Sequence, residues 1–415
     1  MYNIIKCILH CITLKRERKE NNIMEKVRIG IIGFGNMGSS HAKYLVPGEV
    51  EGGVLTAICD IKPAKLDRAK ELYPDANIAY FTDYKEMFAA DIVDAVIVAT
   101  PHYLHPTIGI DAFRAGINVM SEKPAGVYTK QVEEIMAVAR ETGLAYGLMF
   151  NQRTNPMYIK MHDMVQGGEL GELKRVNWII TDWFRTQQYY DSGDWRATWD
   201  GEGGGVLINQ CPHQLDLWQW ICGMPKRIHA FCHEGMHHNI EVEDDVTAYA
   251  EYENGATAVF ITTTGDHPGT NRLEVTGTKG KLIAEGKTLT FYKNKQDTDY
   301  LIKNSEKGFV GPDHEVIEFN FDNAGPQHKG VTQAFVDHLI KGTPMIATGF
   351  EGINGLSISN AMMLSSWKND FVECKNDGEE FWAELQKRIA ESAKKEKKVV
   401  VEKVEDLSST YTSKA

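Results

Sequence analysis

One short apolar run that closes on three spaced glycines constrains this chain more than any other stretch. Val27-Arg28-Ile29-Gly30-Ile31-Ile32 is almost wholly apolar, and Gly33-Phe34-Gly35-Asn36-Met37-Gly38 follows it with the spacing G-x-G-x-x-G. A run without polar alternation reads as a strand buried on both faces, as in a parallel sheet covered by helices. Gly33 then permits a tight turn, Gly35 lets the backbone approach a pyrophosphate, and Gly38 lets the next helix pack close to the strand. The N–H groups opening that helix face the phosphates. The whole loop, Gly33, Phe34, Gly35, Asn36, Met37 and Gly38, is the predicted cofactor cradle, provided that a strand precedes it and a helix follows.

The next hundred residues supply that context. Strands are expected at 28–32, 54–59, 94–99, 118–120 and 145–150, with helices at 36–45, 63–72, 82–89, 106–115 and 129–142 between them. Pro63 suits a first helical turn, while Gly116 and Gly143 sit where C-terminal caps would. This alternation predicts an α/β domain over 24–150, a doubly wound parallel sheet. Asp60 ends the second strand about twenty residues past the last glycine, where a carboxylate accepts from the ribose hydroxyls of NAD. A 2′-phosphate would meet like charge there, so NAD is favoured over NADP, although Lys62 softens the preference. The other reading of Asp60 is a cap for the following helix.

Two more strand ends point into the same crevice. Thr100-Pro101-His102-Tyr103-Leu104-His105 follows the third strand, so that Thr100 and Pro101 border the ligand, and His105 either contacts the cofactor or starts a helix. The fourth strand delivers Ser121-Glu122-Lys123-Pro124. An ammonium on Lys123 can hold a substrate hydroxyl and stabilise the alkoxide that forms as hydride leaves. The alternative is that Glu122 and Lys123 form a surface ion pair.

These motifs, with Gly203-Gly204-Gly205-Val206-Leu207-Ile208-Asn209-Gln210-Cys211-Pro212-His213-Gln214-Leu215-Asp216, make the chain resemble the Gfo/Idh/MocA family of glucose–fructose oxidoreductase and inositol dehydrogenase. The resemblance runs from Met24 to about Trp367. It implies an N-terminal Rossmann domain and a C-terminal α+β domain whose open, mainly antiparallel sheet mediates homodimers or homotetramers. It also implies that Glu122 and Lys123 border the cofactor and that an acid-x-x-x-His pair completes a catalytic triad with Lys123. Here His213 matches, but Asn209 stands where the acid would be. Asn209 can orient a hydroxyl but cannot take a proton, so the acid–base burden falls on His213, with Lys123 assisting.

Beyond Phe150 the pattern changes. A polar loop, 151–156, carries Arg153, which either meets substrate oxygens or the cofactor carboxamide, or caps and bridges. Strands are expected at 174–181, 227–232, 246–252, 256–263, 272–276 and 281–284, with Glu253-Asn254-Gly255 as a hairpin turn. Helices at 327–340 and 349–368 would return across that sheet. A helix beginning near Val206 would put Asn209 and His213 on one face. Asp216 then either orients the imidazole or makes a structural contact. Trp178, Trp183, Phe184, Tyr189, Tyr190, Trp195 and Trp199, with Asp182, Arg185 and Arg196 among them, suit either a pyranose pocket, with Trp195 a candidate contact, or plain packing.

The rest of the chain narrows the class. A net charge of −12 over 415 residues argues against nucleic acid or an anionic membrane as partner. No apolar run approaches the roughly 20 residues that span a bilayer. Seven cysteines include no C-x-x-C pair, and Cys59, Cys211 and Cys222, inside apolar segments, suit reduced core residues of a cytoplasmic protein. Residues 1–23 read as a leader ahead of a start at Met24, 151–390 as a substrate and oligomerisation domain, and 391–415 as a charged tail. His229, Cys232, His233, His237 and His238 have helical metal-ligand spacing. A strand there would hold His229 and His233 about 13 Å apart, so no metal is expected. The sum is an NAD-dependent dehydrogenase for a sugar, glycoside or cyclitol. The rivals are a redox-neutral NAD-dependent glycosidase and a non-catalytic sensor.

Overall fold

The computed structural model describes residues 25–193 and 195–392. The expected leader over 1–23, its start at Met24, and the tail from 393 onward lie outside the described residues. From the N-terminal side the elements are β1 (Val27–Ile32), α1 (Asn36–Leu45), β2 (Gly53–Cys59), α2 (Pro63–Leu72), β3 (Ala79–Phe81), α3 (Tyr84–Ala89), β4 (Ala95–Val98), α4 (Leu104–Arg114), β5 (Asn118–Ser121), α5 (Thr129–Thr142) and β6 (Tyr146–Leu148). There follow α6 (Pro156–Gln166), β7 (Leu173–Ile180), α7 (Gln187–Asp191), α8 (Pro212–Cys222), β8 (Arg227–Glu234), β9 (Glu243–Glu251), β10 (Thr257–Thr263), β11 (Asn271–Gly277), β12 (Gly280–Glu285) and β13 (Thr288–Asn294). The last are α9 (Thr298–Asn304), β14 (His314–Asn320), α10 (Gln327–Lys341), α11 (Gly352–Lys368), β15 (Val372–Glu373) and α12 (Glu379–Glu391).

The chain forms two compact units. The first runs through Ala125 and includes Gln131–Phe150 and His328–Phe350; the second holds Gly126–Lys130, Asn151–Gln327 and the chain from Glu351 onward. In the first, six strands pair in the order β3-β2-β1-β4-β5-β6, parallel throughout. Strand order reverses between β1 and β4, which opens a crevice beyond their carboxyl ends. Ile29, Ile31, Ile58, Ile97 and Met120 build its core. The sixth strand, β3, escapes the sequence because it is three residues long with none fully buried.

Helix α10 corrects an expectation. It was expected to cross the second sheet, yet Val331, Phe335 and Val336 pack into the core of the first unit. Its apolar face is real; what that face covers is a long-range choice that helical periodicity does not encode.

The second unit carries a nine-stranded sheet in the order β14-β13-β12-β11-β7-β10-β9-β8-β15. Only β7 and β10 pair in parallel; the neighbours on either side run antiparallel. Burial alternates along β9, with Val246, Ala248 and Ala250 inward, so one face of the sheet is covered. Trp218 of α8 stacks on Phe260 of β10 at 5.7 Å and donates from Nε1 to the Tyr252 hydroxyl at 2.7 Å. Gly255 makes the β9–β10 turn with φ +83°. The expected six strands are present, and β13, β14 and β15 extend the sheet. Edge strand β14 reads His-Glu-Val-Ile-Glu-Phe-Asn, a charged sequence suited to an edge and therefore weak as a strand signal.

Candidate active site

The first unit positions the glycine loop as its sequence requires. Gly33 has φ +92°, and a Cβ there would lie 2.5 Å from the Ala99 carbonyl. A Cβ on Gly38 would lie 1.9 Å from the carbonyl of Gly33. Neither position admits a side chain. At Gly35 a Cβ would meet only Lys65 Nζ, at 3.7 Å, so space above that backbone is open. Gly35 caps α1 without a side-chain bond, and bare N–H groups at a helix start are what a pyrophosphate binds. The cradle fits a dinucleotide.

Asp60 frames the loop from β2. One carboxylate oxygen accepts from Phe34 N at 2.7 Å and the other from Lys62 N at 2.9 Å. Each oxygen keeps acceptor capacity for a ribose hydroxyl. Beyond β4, the Thr100 hydroxyl is buried without a hydrogen-bond partner, a group that an adjacent ligand would satisfy. His105 lies between two carbonyls, 2.7 Å from Thr100 O and 2.8 Å from Pro124 O, and burial pushes its pKa down. It ties the Pro101 loop to the Lys123–Pro124 segment from a position 1 % exposed, which gives it a structural use in place of the expected cofactor contact.

Glu122 is not on the surface. Burial pushes its carboxyl up, but His41, bonded from Nε2 at 2.7 Å, outweighs that and holds it at about 2. The other carboxylate oxygen accepts from Lys123 N at 3.2 Å. Lys123 thus leaves β5 on a backbone fixed by its neighbour.

The second unit places its predicted residues differently from the expectation. The segment after Gly203–Gly205 is a series of turns, and α8 begins only at Pro212. Asn209 and His213 therefore do not share a helical face. The reason is Glu243, a buried acid that the sequence reading missed. Its carboxylate accepts from Gly205 N at 2.9 Å and Leu207 N at 3.1 Å, and its carbonyl from Val206 N at 2.9 Å. A Cβ at Gly205 would strike that carbonyl at 1.9 Å. The backbone wraps this side chain before the helix can start. Burial raises the Glu243 pKa to about 7, with the backbone donors opposing.

Asn209 instead joins a polar cluster. Its amide donates to Glu202 Oε1, and the Tyr189 hydroxyl donates to its carbonyl at 3.4 Å. Glu202, the second acid missed, also accepts from Ala197 N at 2.6 Å. Arg196 donates to Tyr189 Oη at 2.9 Å and lies over the rings of Tyr189 and Trp195 at 4.6 and 4.7 Å. His213 sits in the first turn of α8, 2 % exposed. Of the aromatic stretch, Trp178, Trp183, Tyr190 and Trp199 are core; Tyr189 and Trp195 remain with the polar cluster.

Arg153 takes its structural alternative. Nε and Nη2 donate to the two Asp216 oxygens at 2.8 and 2.7 Å, and Nη1 donates to Glu351 at 2.6 Å. Arg153 and Asp216 side chains are each 1 % exposed. This buried clamp binds three segments of one unit, so neither Arg153 as a substrate contact nor Asp216 as an imidazole partner fits the geometry. Three of the histidines of β8 and its turn lie against carboxylates, His233 with Asp245 at 3.0 Å, His237 with Asp245 at 3.7 Å and His238 with Asp244 at 2.8 Å, while His229 packs on Phe231 and Phe371. Among the described residues no group of three or more His, Cys, Asp or Glu is arranged to hold a metal ion, and no helix is long and apolar enough to cross a membrane.

Comparison with known proteins agrees with both halves. Residues 27–150 match the oxidoreductase family with an NAD-binding Rossmann fold (GFO_IDH_MocA), and residues 158–283 match the GFO/IDH/MocA C-terminal domain. The WlbA dehydrogenase from Chromobactrium violaceum, solved with NADH and UDP-GlcNAcA, is 26% identical with a TM-score of 0.73 over 85% of this chain and 97% of its own. Levoglucosan dehydrogenase, solved with NADH, has the same fold at 18% identity, TM-score 0.71, over 85% of this chain and 100% of its own. The alpha-N-acetylgalactosaminidase of Shewanella oneidensis is 30% identical over 194 residues, 44% of this chain and 42% of that protein. The chain thus spans about two fifths of the length of the curated relatives it matches.

Proposed function

The chain belongs to the GFO/IDH/MocA oxidoreductase family, an NAD-binding family, and from that premise we propose that it oxidises a secondary hydroxyl of a sugar, glycoside or cyclitol, or reduces the matching ketone. When bound at the glycine loop, NAD supplies the hydride acceptor and NADH the donor. Lys123 holds the substrate oxygen through its ammonium and stabilises negative charge on it. His213 takes the hydroxyl proton on a ring nitrogen and returns it in reduction. Asn209, its amide fixed by Glu202, orients a neighbouring hydroxyl. Tyr189, Arg196 and Trp195 offer the ring face and donors that a pyranose uses. The first unit, which includes His328–Phe350, carries the cofactor, and the second carries the substrate and the contacts of a homo-oligomer.

The observation that carries this reading is in the first unit, where a glycine cradle with a bare helix N-terminus and Lys123 lie at strand ends on the same edge of one parallel sheet. The test is incubation with NAD and a panel of inositols, aldoses, glycosides and nucleotide sugars, followed at the NADH absorbance band. Reduction of NAD by at least one of them is expected. Binding of NADH with no turnover across the panel in either direction would overturn it.

A second reading draws on the likeness to an alpha-N-acetylgalactosaminidase. There the substrate would be oxidised, lose its aglycone by elimination, take up water in its place and be re-reduced, with the retained NAD supplying both hydride steps. Release of nitrophenol from N-acetylgalactosaminides without added cofactor would favour it.

A further inference from the structure

Arg185 of the second unit is pinned at both ends of its backbone. Its N donates to the Thr264 carbonyl at 3.0 Å, just beyond β10, and its carbonyl accepts from His238 Nε2 at 2.9 Å. The side chain is held as well. Nη1 donates to the carbonyls of Trp183 and Phe184 at 3.3 and 2.9 Å, and the guanidinium lies over the rings of Trp183 and Tyr189 at 5.9 and 5.2 Å. Arg196 lies over the same Tyr189 ring and over Trp195, so the order of contacts runs Trp183, Arg185, Tyr189, Arg196, Trp195. Aromatic faces attract cations, and a planar guanidinium fixed in this way loses little further freedom when it binds.

The two guanidiniums differ in how their charge is met. Arg196 has Glu202 at 4.0 Å. Arg185 forms no ion pair among the described residues; Asp182 lies near enough to feel its charge without bonding it. Both hydrogen bonds of the Arg185 side chain leave through Nη1. Nε and Nη2 are left, the edge that holds a carboxylate or phosphate by two parallel bonds. A chain of net charge −12 repels anions at long range, so an anionic ligand needs a local cation of this kind.

Tyr189 joins Arg185 to the polar cluster around Asn209. The Asn209 amide gives a hydrogen to Glu202, so Asn209 Oδ1 faces Tyr189 and takes the one phenolic hydrogen. Gln210 therefore meets the same hydroxyl with Nε2, at 3.2 Å, and Oε1 is its other end. That oxygen is buried without a hydrogen-bond partner, in a residue 6 % exposed. It is an acceptor that a ligand hydroxyl would satisfy. We propose that Arg185 binds an oxyanion of the substrate, a carboxylate or a phosphate, through its Nε–Nη2 edge, so that the enzyme takes acidic sugars in preference to neutral ones. The inference rests on the dehydrogenase reading under Proposed function and narrows its substrate class.

The test reads binding apart from turnover. Calorimetry on the full chain, with and without NADH, uses glucose and galactose, each as the free sugar, the uronate, the 1-phosphate and the UDP-sugar. At least one charged member should bind about tenfold or more tighter than its neutral parent. The advantage should shrink as potassium chloride rises from about 50 to 500 mM. Uronates in the lead identify the oxyanion as a carboxylate, and 1-phosphates or UDP-sugars in the lead identify it as a phosphate. Arg185→Gln should erase the advantage, and Arg185→Lys should keep part of it, as a cation without the fork. Where Arg185→Gln does not fold, Arg185→Lys and the salt dependence supply the same reading. Equal affinity for charged and neutral members, no binding by any of them, or a charge preference that survives Arg185→Gln overturns the proposal. Charged sugars that bind through Arg185 yet reduce no NAD uphold it and sink the dehydrogenase reading. Neutral sugars that bind and reduce NAD as well as charged ones do the reverse.

Discussion

Arg153 offers the sharpest test of how the second unit is held. Its guanidinium meets Asp216 bidentately, both side chains 1 % exposed, and reaches Glu351, whose side chain is 37 % exposed. Arg153→Ala removes the partner and leaves a buried carboxylate, which costs about 3–5 kcal/mol; the Glu351 contact, partly in water, adds at most about 1. Gln219 Nε2 still donates to Asp216 at 3.1 Å, a charge-assisted bond that offsets about 1.5–3 kcal/mol of desolvation and is already present in the wild type. The net expectation is a fall of about 3–5 kcal/mol in the urea unfolding free energy of the transition that reports this unit. The pair Arg153→Met with Asp216→Leu should fall by less than half as much, since no unpaired charge remains. Arg153→Lys should sit between. A loss below about 1 kcal/mol for Arg153→Ala, with a raised substrate KM as its main effect, would refute the clamp and restore Arg153 to the substrate.

Other outcomes follow from the same geometry. Lys123→Ala and His213→Ala should each lower turnover by about two to four orders of magnitude while NADH binding survives in a fluorescence titration; near-normal rates in both would end their assignment. Gly38→Ala should abolish NADH binding or folding, because a Cβ would stand 1.9 Å from the Gly33 carbonyl; calorimetric binding at wild-type affinity would contradict it. Glu243 has a folded pKa raised to about 7 from 4.5, so its contribution is complete below about pH 4.5 and is lost as pH rises through 7. The raised pKa corresponds to about 3 kcal/mol over that window. Glu243→Gln should flatten the pH dependence of the melting temperature between about pH 5 and 8, and an unchanged slope would refute it.

The two halves differed in how openly the sequence showed them. In the first, nearly every functional element is local: strand, glycines and helix occupy one continuous stretch, and α1, α2 and α5 begin and end where capping and periodicity put them. Gly33 and Gly38 can be read because steric exclusion acts on the residue itself. Asp60 reaches back to Phe34 across 26 positions, but its place at a strand end is fixed by the sheet, so its neighbourhood was foreseeable.

The second half is organised by pairings that leave no local mark. Val206-Leu207-Ile208-Asn209 has helical character, and a helix there would align Asn209 with His213. Glu243, 38 positions beyond Gly205, overrides that preference by accepting the N–H groups that a helix would have left to water. Arg153 and Asp216 are 63 apart; each alone looks like a group waiting for a ligand, and only together do they become a clamp. Glu202 shows the converse. It stands seven positions before Asn209, near enough to have been considered, but a glutamate among glycines gives no periodic signal. With an amide at 209, the carboxyl group absent from that position is bonded to it from Glu202. Among the described residues Glu122, Arg153, Glu202, Asp216, Glu243 and Asp244 are buried and each is held by a hydrogen-bond partner, as desolvation demands, and a charged residue in an apolar setting is therefore better read by asking which distant residue satisfies it than by asking which ligand it awaits.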